Sequence, residues 1–228
     1  MTQPELLEGK VLLVSKPLHW TSFDIIRKLR NIFSIKKIGH AGTLDPLATG
    51  LLIVCTGKFT KKINEYMGME KEYTGTITLG AVTPTYDLES EPEQHLPFAH
   101  ITKEEVVKVF LSFTGPIMQF PPAHSAIKVD GKRLYQLARE GKEVKLEARS
   151  VIIYECELTR FELPEIDFRV VCGTGTYIRS LAKDVGESLG CGGYLSKLVR
   201  TRIGEFLLVN ALTLQQVEAG YTAPVAGQ

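Results

Sequence analysis

Residues Gly39 to Gly50 read Gly-His-Ala-Gly-Thr-Leu-Asp-Pro-Leu-Ala-Thr-Gly. One carboxylate, Asp45, and one imidazole, His40, stand among three glycines. Glycine admits backbone conformations closed to other residues, as a tight functional loop needs. Pro46 biases Asp45 towards extended backbone, so its side chain stands off the chain. A carboxylate presented in this way can act as a nucleophile or a general base. The same residues also have a plain structural reading. Asp followed by Pro is a helix N-cap with proline at the first helical position, and a lone loop histidine is more often hydrogen-bonded than catalytic. No metal chemistry is expected: His19, His40, His95, His100 and His124 lack ligand spacing, and Cys55, Cys156, Cys172 and Cys191 contain no C-x-x-C pair. Gly173-x-Gly175 lacks the third glycine or following lysine of a nucleotide loop, so no cofactor is expected either.

The elements that must position this loop follow from periodicity. Lys10–Val14 reads as a buried strand stopped by Pro17. Thr21-Ser22-Phe23-Asp24 is a capping-box pattern, and Ile25, Leu29 and Ile32 follow at helical spacing, which predicts a helix over 22–33. Leu51–Cys55 is a short apolar strand, 58–67 is helical, and 73–79 alternates as a strand. Residues 83–100 read as a loop, 102–113 as a helix, and Pro116, Pro121 and Pro122 as breaks. His124–Val129 is a candidate strand, Asp130-Gly131 a turn, and 132–140 a short basic helix closed by Gly141. Strands over 151–161 and 166–172 form a hairpin, 178–189 is a helix ended by Gly190, 195–209 is strand-like with a turn near Gly204, and Thr213 caps a last helix. With no regular β-α-β-α alternation, the pattern predicts an α+β protein: a mixed, mainly antiparallel sheet flanked by helices, with 124–149 as an excursion.

Bulk properties exclude some classes. The chain has 228 residues, 44% hydrophobic and 23% charged, an ordinary globular composition. No apolar run is long enough to cross a bilayer, and Met1–Glu5 lacks a signal-peptide start. The cysteine usage suits a reducing cytoplasm. Net charge is +1, yet cations cluster: eight Lys/Arg against three acids over 24–65, seven against four over 128–149, and five against two over 179–202. That asymmetry fits either a basic phosphate-binding face or ordinary solvated helix faces.

The whole string Gly39–Gly50 resembles the catalytic loop of TruB-type tRNA pseudouridine-55 synthases, G-H-x-G-T-L-D-P-x-A-T-G. Val14-Ser15-Lys16-Pro17 is similar to the family's opening D/N-K-P segment, with Ser15 in place of the acid or amide. Lys71-Glu72-Tyr73 resembles its K-x-Y motif. Leu79-Gly80-x-x-Thr83-x-Thr85-x-Asp87 resembles its LG-x-x-T-D-T-x-D motif, with Pro84 at an Asp position. Ser125–Lys128, Gly131, Tyr135, Ala138-Arg139 and Gly141 follow another family segment, with His124 where Tyr is usual. Gly173–Arg179 and Leu189–Gly192 match two more, so the resemblance spans about 10–217.

The resemblance implies a pseudouridine synthase fold and specific roles. Asp45 is the essential carboxylate, Tyr73 stacks on the target base, and Arg179 pairs with Asp45 and holds it ionised. His40 contacts the RNA, and Leu198 forms an apolar pocket wall. Asp87 supports Arg179 or contacts the stem. Lys16 and Pro17 form the floor of the site. Lys128, Lys132 and Arg133 grip phosphates, as do the basic residues of 197–202. Read alone, Tyr73 and Leu198 are equally core residues, and Arg179 a surface charge. The implied function is isomerisation of uridine to pseudouridine in the T-loop of tRNA by base flipping, in the cytoplasm, by a monomer that needs no metal or cofactor. Asp45 could attack the sugar, add to the base or abstract a sugar proton. The implied organisation is a catalytic domain over 1–217, a flexible tail over 218–228, and no C-terminal RNA-binding domain of PUA type. Two rivals remain at this point: a non-catalytic tRNA-binding or folding protein, and an RNA N-glycoside hydrolase using Asp45 and Asp87.

Overall fold

The computed structural model describes residues 1–122, 128–129, 132–133 and 147–222. In chain order, the first elements are α1 (Gln3–Glu8), β1 (Val11–Lys16), α2 (Ser22–Phe33), β2 (Ile38–Ala41) and β3 (Ala48–Thr56). A 3-10 turn (Gly57–Lys62), α3 (Ile63–Gly68), β4 (Lys71–Leu79), α4 (Lys103–Ser112) and β5 (Gly115–Gln119) follow. Then come β6 (Lys128–Val129), β7 (Lys132–Arg133), β8 (Arg149–Glu162) and β9 (Glu165–Cys172). The last elements are α5 (Ile178–Ser188), β10 (Gly193–Ile203), β11 (Phe206–Leu207) and α6 (Leu214–Ala219). The chain forms two compact units, Met1–Tyr73 with Leu198–Gln228, and Thr74–Lys197.

In the first unit the strand order is β1–β3–β10–β4, with β2 on β3 and β11 on β10. β3 is almost wholly buried. One of its edges carries β1, antiparallel from Val11↔Cys55 to Lys16↔Gly50. The other edge is shared: β10 runs parallel to its start, Leu198↔Ala48 to Arg200↔Gly50, and β2 antiparallel to its end, Ile38↔Thr56 to Ala41↔Ile53. The connection from β2 to β3 therefore lies where β2 gives way to β10, and it carries Asp45. α2 starts with the expected capping box: Asp24 N–H donates to the Thr21 hydroxyl at 3.0 Å, and Thr21 N–H to the Asp24 carboxylate at 3.0 Å. Its apolar stripe, Ile25, Ile26, Leu29 and Phe33, packs with Leu12, Val14, Leu52 and Val54. Each such side chain contributes about 1.5–3 kcal/mol by leaving water.

In the second unit the order is β10–β4–β9–β8–β5. β8 and β9 form the expected hairpin, closing at Glu162↔Glu165. β5 and β8 pair from Gly115↔Ile153 to Gln119↔Arg149. The sheet is mixed and mainly antiparallel, as expected: β3–β10 is parallel, while β1–β3, β2–β3, β10–β11, β5–β8 and β8–β9 are antiparallel.

Several expectations change. Pro116 does not break the chain but sits in β5, opposite Ile152; an end strand of the order tolerates a residue without an N–H. Lys132 and Arg133 belong to a strand, not a helix: they pair with Val129 and Lys128. Ser125–Ile127, Gly131, Tyr135, Ala138-Arg139 and Gly141 lie outside the described residues, as does 223–228. Residues 218–222, assigned from sequence to a flexible tail, are held. The Tyr221 ring meets Phe33 edge-on at 5.1 Å, and Thr222 N–H donates to the Met1 carbonyl at 2.8 Å. Among the described residues no helix is long and apolar enough to cross a membrane.

Candidate active site

Asp45 does not cap a helix. Ala48 N–H donates to the Asp45 carbonyl at 3.1 Å, so Asp45–Ala48 is a turn entering β3. The loop around it is fastened from several elements. The Ser22 hydroxyl, in α2, accepts from Leu44 N–H at 2.9 Å and donates to the Leu44 carbonyl at 3.2 Å. His19 N–H donates to the Pro46 carbonyl at 2.9 Å. Lys16, 1% exposed at the end of β1, donates to the carbonyls of Pro17 (3.0 Å), Trp20 (2.6 Å) and Pro46 (3.3 Å). An ammonium has three donors, and all are used. Lys16 is thus a buried fastener beneath the loop. Burial pushes its pKa down to about 8, the Asp45 carboxylate opposes that shift, and the Arg200 guanidinium adds to it. Pro17 is exposed and lines a cleft of about 510 Å³ with Trp20 and Leu214.

Arg200 is the largest fully buried side chain among the described residues, and sequence reasoning placed it on a phosphate-gripping surface. Its Nε donates to the Leu51 carbonyl at 2.8 Å and its NH2 group to the Gly42 carbonyl at 3.1 Å. One guanidinium therefore joins the two stems of the Asp45 loop. Its neighbour Arg202 donates to the Glu70 carboxylate at 2.6 Å, which leaves Lys197 as the exposed cation of that stretch. His40 lies on β2 opposite Val54. Burial, and then the Arg200 charge, hold its pKa below the usual imidazole range, so it is neutral at neutral pH. Its Nδ1 is buried without a hydrogen-bond partner among the described residues.

Tyr73 on β4 is 9% exposed, and Leu198 on β10 is 7% exposed. Leu198 pairs with Ala48, three residues beyond Asp45 in sequence. Lys71, of the K-x-Y motif, is buried and donates to the Met69 carbonyl at 2.6 Å, which ties the end of α3 to the start of β4.

Asp87 and Arg179 belong to the second unit. Arg179 is 4% exposed, in the first turn of α5, and so is not a surface charge. It donates to the Thr85 carbonyl at 3.3 Å, and its Nε lies 3.6 Å from Asp87 Oδ2. Asp87 Oδ1 accepts from Glu89 N–H at 3.0 Å. Asp87 is itself 3% exposed. The backbone before Arg179 is also clamped. The buried Gln119 side chain accepts from Tyr177 N–H at 2.8 Å and donates to the Tyr177 carbonyl at 3.0 Å. Gln119 escaped the sequence reading, Ser22 entered it only within a capping box, and Arg200 only as a phosphate-binding cation. Their partners are backbone atoms distant in sequence, and no spacing rule marks those. For Lys128, Lys132 and Arg133 the structure describes only the β6–β7 pairing.

The chain is an RNA-modifying isomerase by family: it belongs to the TruB family of pseudouridylate synthases, whose N-terminal domain matches residues 30–178. The C-terminal domain of tRNA pseudouridylate synthase B matches residues 179–224. The tRNA pseudouridine synthase B of Flavobacterium johnsoniae is 53% identical over 225 residues, covering 96% of this chain and 98% of its own. That of Phocaeicola vulgatus is 51% identical over 214 residues, covering 91% of each. Among solved structures, a chain in a Cbf5-Nop10-Gar1 complex has a TM-score of 0.74 at 28% identity, with 95% of this chain covered. A chain in an H/ACA RNP bound to a substrate RNA containing 2'-deoxyuridine has a TM-score of 0.70 at 26% identity, with 94% covered. This chain spans just over half of those two chains, 55% and 53%.

Proposed function

We propose that this chain isomerises uridine to pseudouridine at position 55, in the T-loop of tRNA, with Asp45 as its essential carboxylate. The bond from the sugar to uracil N1 breaks, the base turns, and a bond forms from uracil C5 to the same sugar carbon. The proton lost from C5 is balanced by one gained at N1, so the reaction is an isomerisation. The observation that carries this reading is the match of nearly the whole chain to synthases named for this activity on tRNA, with the Asp45 loop intact. The geometry agrees with it: a preorganised carboxylate on a fastened loop suits a step in which charge develops at one sugar or base atom.

The target base must leave its stack, which costs a few kcal/mol. Stacking on Tyr73 returns about 1–3 kcal/mol of that. Arg179, fixed by Asp87 and Thr85, keeps the catalytic role the resemblance implies. Lys128, Lys132 and Arg133 contact stem phosphates and set register. The T-arm alone is the recognised unit, and the enzyme works as a monomer in the cytoplasm, where its four free, buried cysteines remain reduced. The hydrolase reading loses support, since it needs Asp87 as an open acid or base, and that carboxylate is buried against Arg179 and Glu89 N–H. The test is nucleoside analysis of an unmodified tRNA transcript after incubation with the chain. The expected result is pseudouridine matching the uridine consumed, with no free uracil. Released uracil would mean a hydrolase, and unchanged uridine a binding protein.

A further inference from the structure

One side-chain hold on the Asp45 loop comes from a residue with no role in the function assigned above. Ser22 is 1% exposed, and its hydroxyl meets both polar backbone atoms of Leu44, the residue before Asp45. A hydroxyl has one donor and two acceptor sites, so a single oxygen satisfies both. Leu44 is itself 4% exposed, so loss of that oxygen would leave a buried peptide group short of a partner. Ser22 is the first residue of α2, fixed by the Thr21–Asp24 capping box on one side and by Ile25, Ile26 and Leu29 in the core on the other. The clamp thus ties the loop to a packed helix rather than to another loop.

We infer that Ser22 is a positioning residue for the proposed isomerisation: by holding Leu44 through both its N–H and its carbonyl, it sets the direction in which Asp45 presents its carboxylate. The inference rests on that function, and the experiment separates the two. Single-turnover pseudouridine formation at saturating tRNA, tRNA affinity and melting temperature are measured for wild type, Ser22→Ala, Ser22→Cys and Thr21→Ala. Thr21→Ala weakens the same helix end without touching Leu44, and controls for stability alone. Misaiming a reacting group by about 1 Å can cost ~100-fold in rate. Ser22→Ala should therefore lose ~10- to 100-fold in rate, with tRNA affinity within about twofold of wild type. Ser22→Cys, which keeps the size and a weaker hydrogen-bonding group, should fall between wild type and alanine. Thr21→Ala should melt earlier and keep the wild-type rate. An active wild type beside a Ser22→Ala chain of equal rate overturns the inference alone, as does an equal rate loss in Ser22→Ala and Thr21→Ala. A wild type that forms no pseudouridine overturns the function, and Ser22's role with it.

Discussion

At the scale of single residues, the Asp45 loop is governed by buried cations. Lys16 and Arg200 are each 1% exposed and donate to backbone carbonyls, those of Pro46 and Gly42 in the Asp45 loop among them. Lys16 has a testable signature, because its pKa falls from 10.5 to about 8 on folding. Between those values the unfolded chain binds more protons than the folded one, so the stability owed to Lys16 rises with pH across that window. Compared with Lys16→Met, the wild type should gain in urea midpoint from about pH 8 to about pH 10.5. Activity should move the other way. A neutral amine has fewer protons to share among three carbonyls, so the wild-type rate should fall with a midpoint near about pH 8. Lys16→Met should be slower throughout and lack that limb. If both chains showed the same alkaline limb, another group would be titrating. The sequence marked Lys16 as part of a motif, but nothing in it showed that the ammonium would be buried and bound to three backbone carbonyls.

At the scale of elements, local signals were legible wherever the cause was local. The capping box at Thr21 placed α2, alternation placed β4, and Gly190, at φ 71°, ended α5. What escaped depended on distant partners. α1 precedes the first apolar run, β2 hides inside the glycine-rich string, and β5 contains a proline whose tolerance follows from its place at the end of the order. The Asp45 loop was found by its residues, and the clamps on it were not. Gly50 shows why the string ends in glycine. Its φ is +107°, and a Cβ there would lie 2.4 Å from the Arg200 carbonyl oxygen, where β3 and β10 pair. Gly50→Ala should cost about 1–3 kcal/mol in backbone strain alone, before the displacement of β10 is counted. Chemical denaturation measures this. A midpoint equal to wild type would mean that β10 does not approach β3 this closely.

At the scale of the whole molecule, clustered charge in the sequence overstates the basic surface. Of the cations over 179–202, Arg179 and Arg200 are buried, Lys183 pairs with Glu187 at 2.7 Å, and Arg202 with Glu70. RNA affinity should therefore depend on fewer phosphate contacts than the count suggests, with the 128–149 stretch prominent among them. Replacing Lys132 and Arg133 together by alanine should lower the slope of log affinity against log salt by ~0.7–0.9 for each phosphate that is no longer neutralised. The rate at saturating tRNA should change little. An unchanged slope would remove these two residues from the RNA interface.

If Asp45 is the catalyst, Asp45→Asn should silence the chain without unfolding it. Asparagine keeps the shape and gives up the charge and the nucleophilic oxygen. Pseudouridine formation, tRNA affinity and melting temperature should be measured on the same preparation. The rate should fall by several orders of magnitude, with affinity within a few-fold of wild type and the protein folded, because the substitution removes an interaction made in the transition state. A folded Asp45→Asn chain that still converts uridine to pseudouridine at a substantial rate would contradict that role for Asp45.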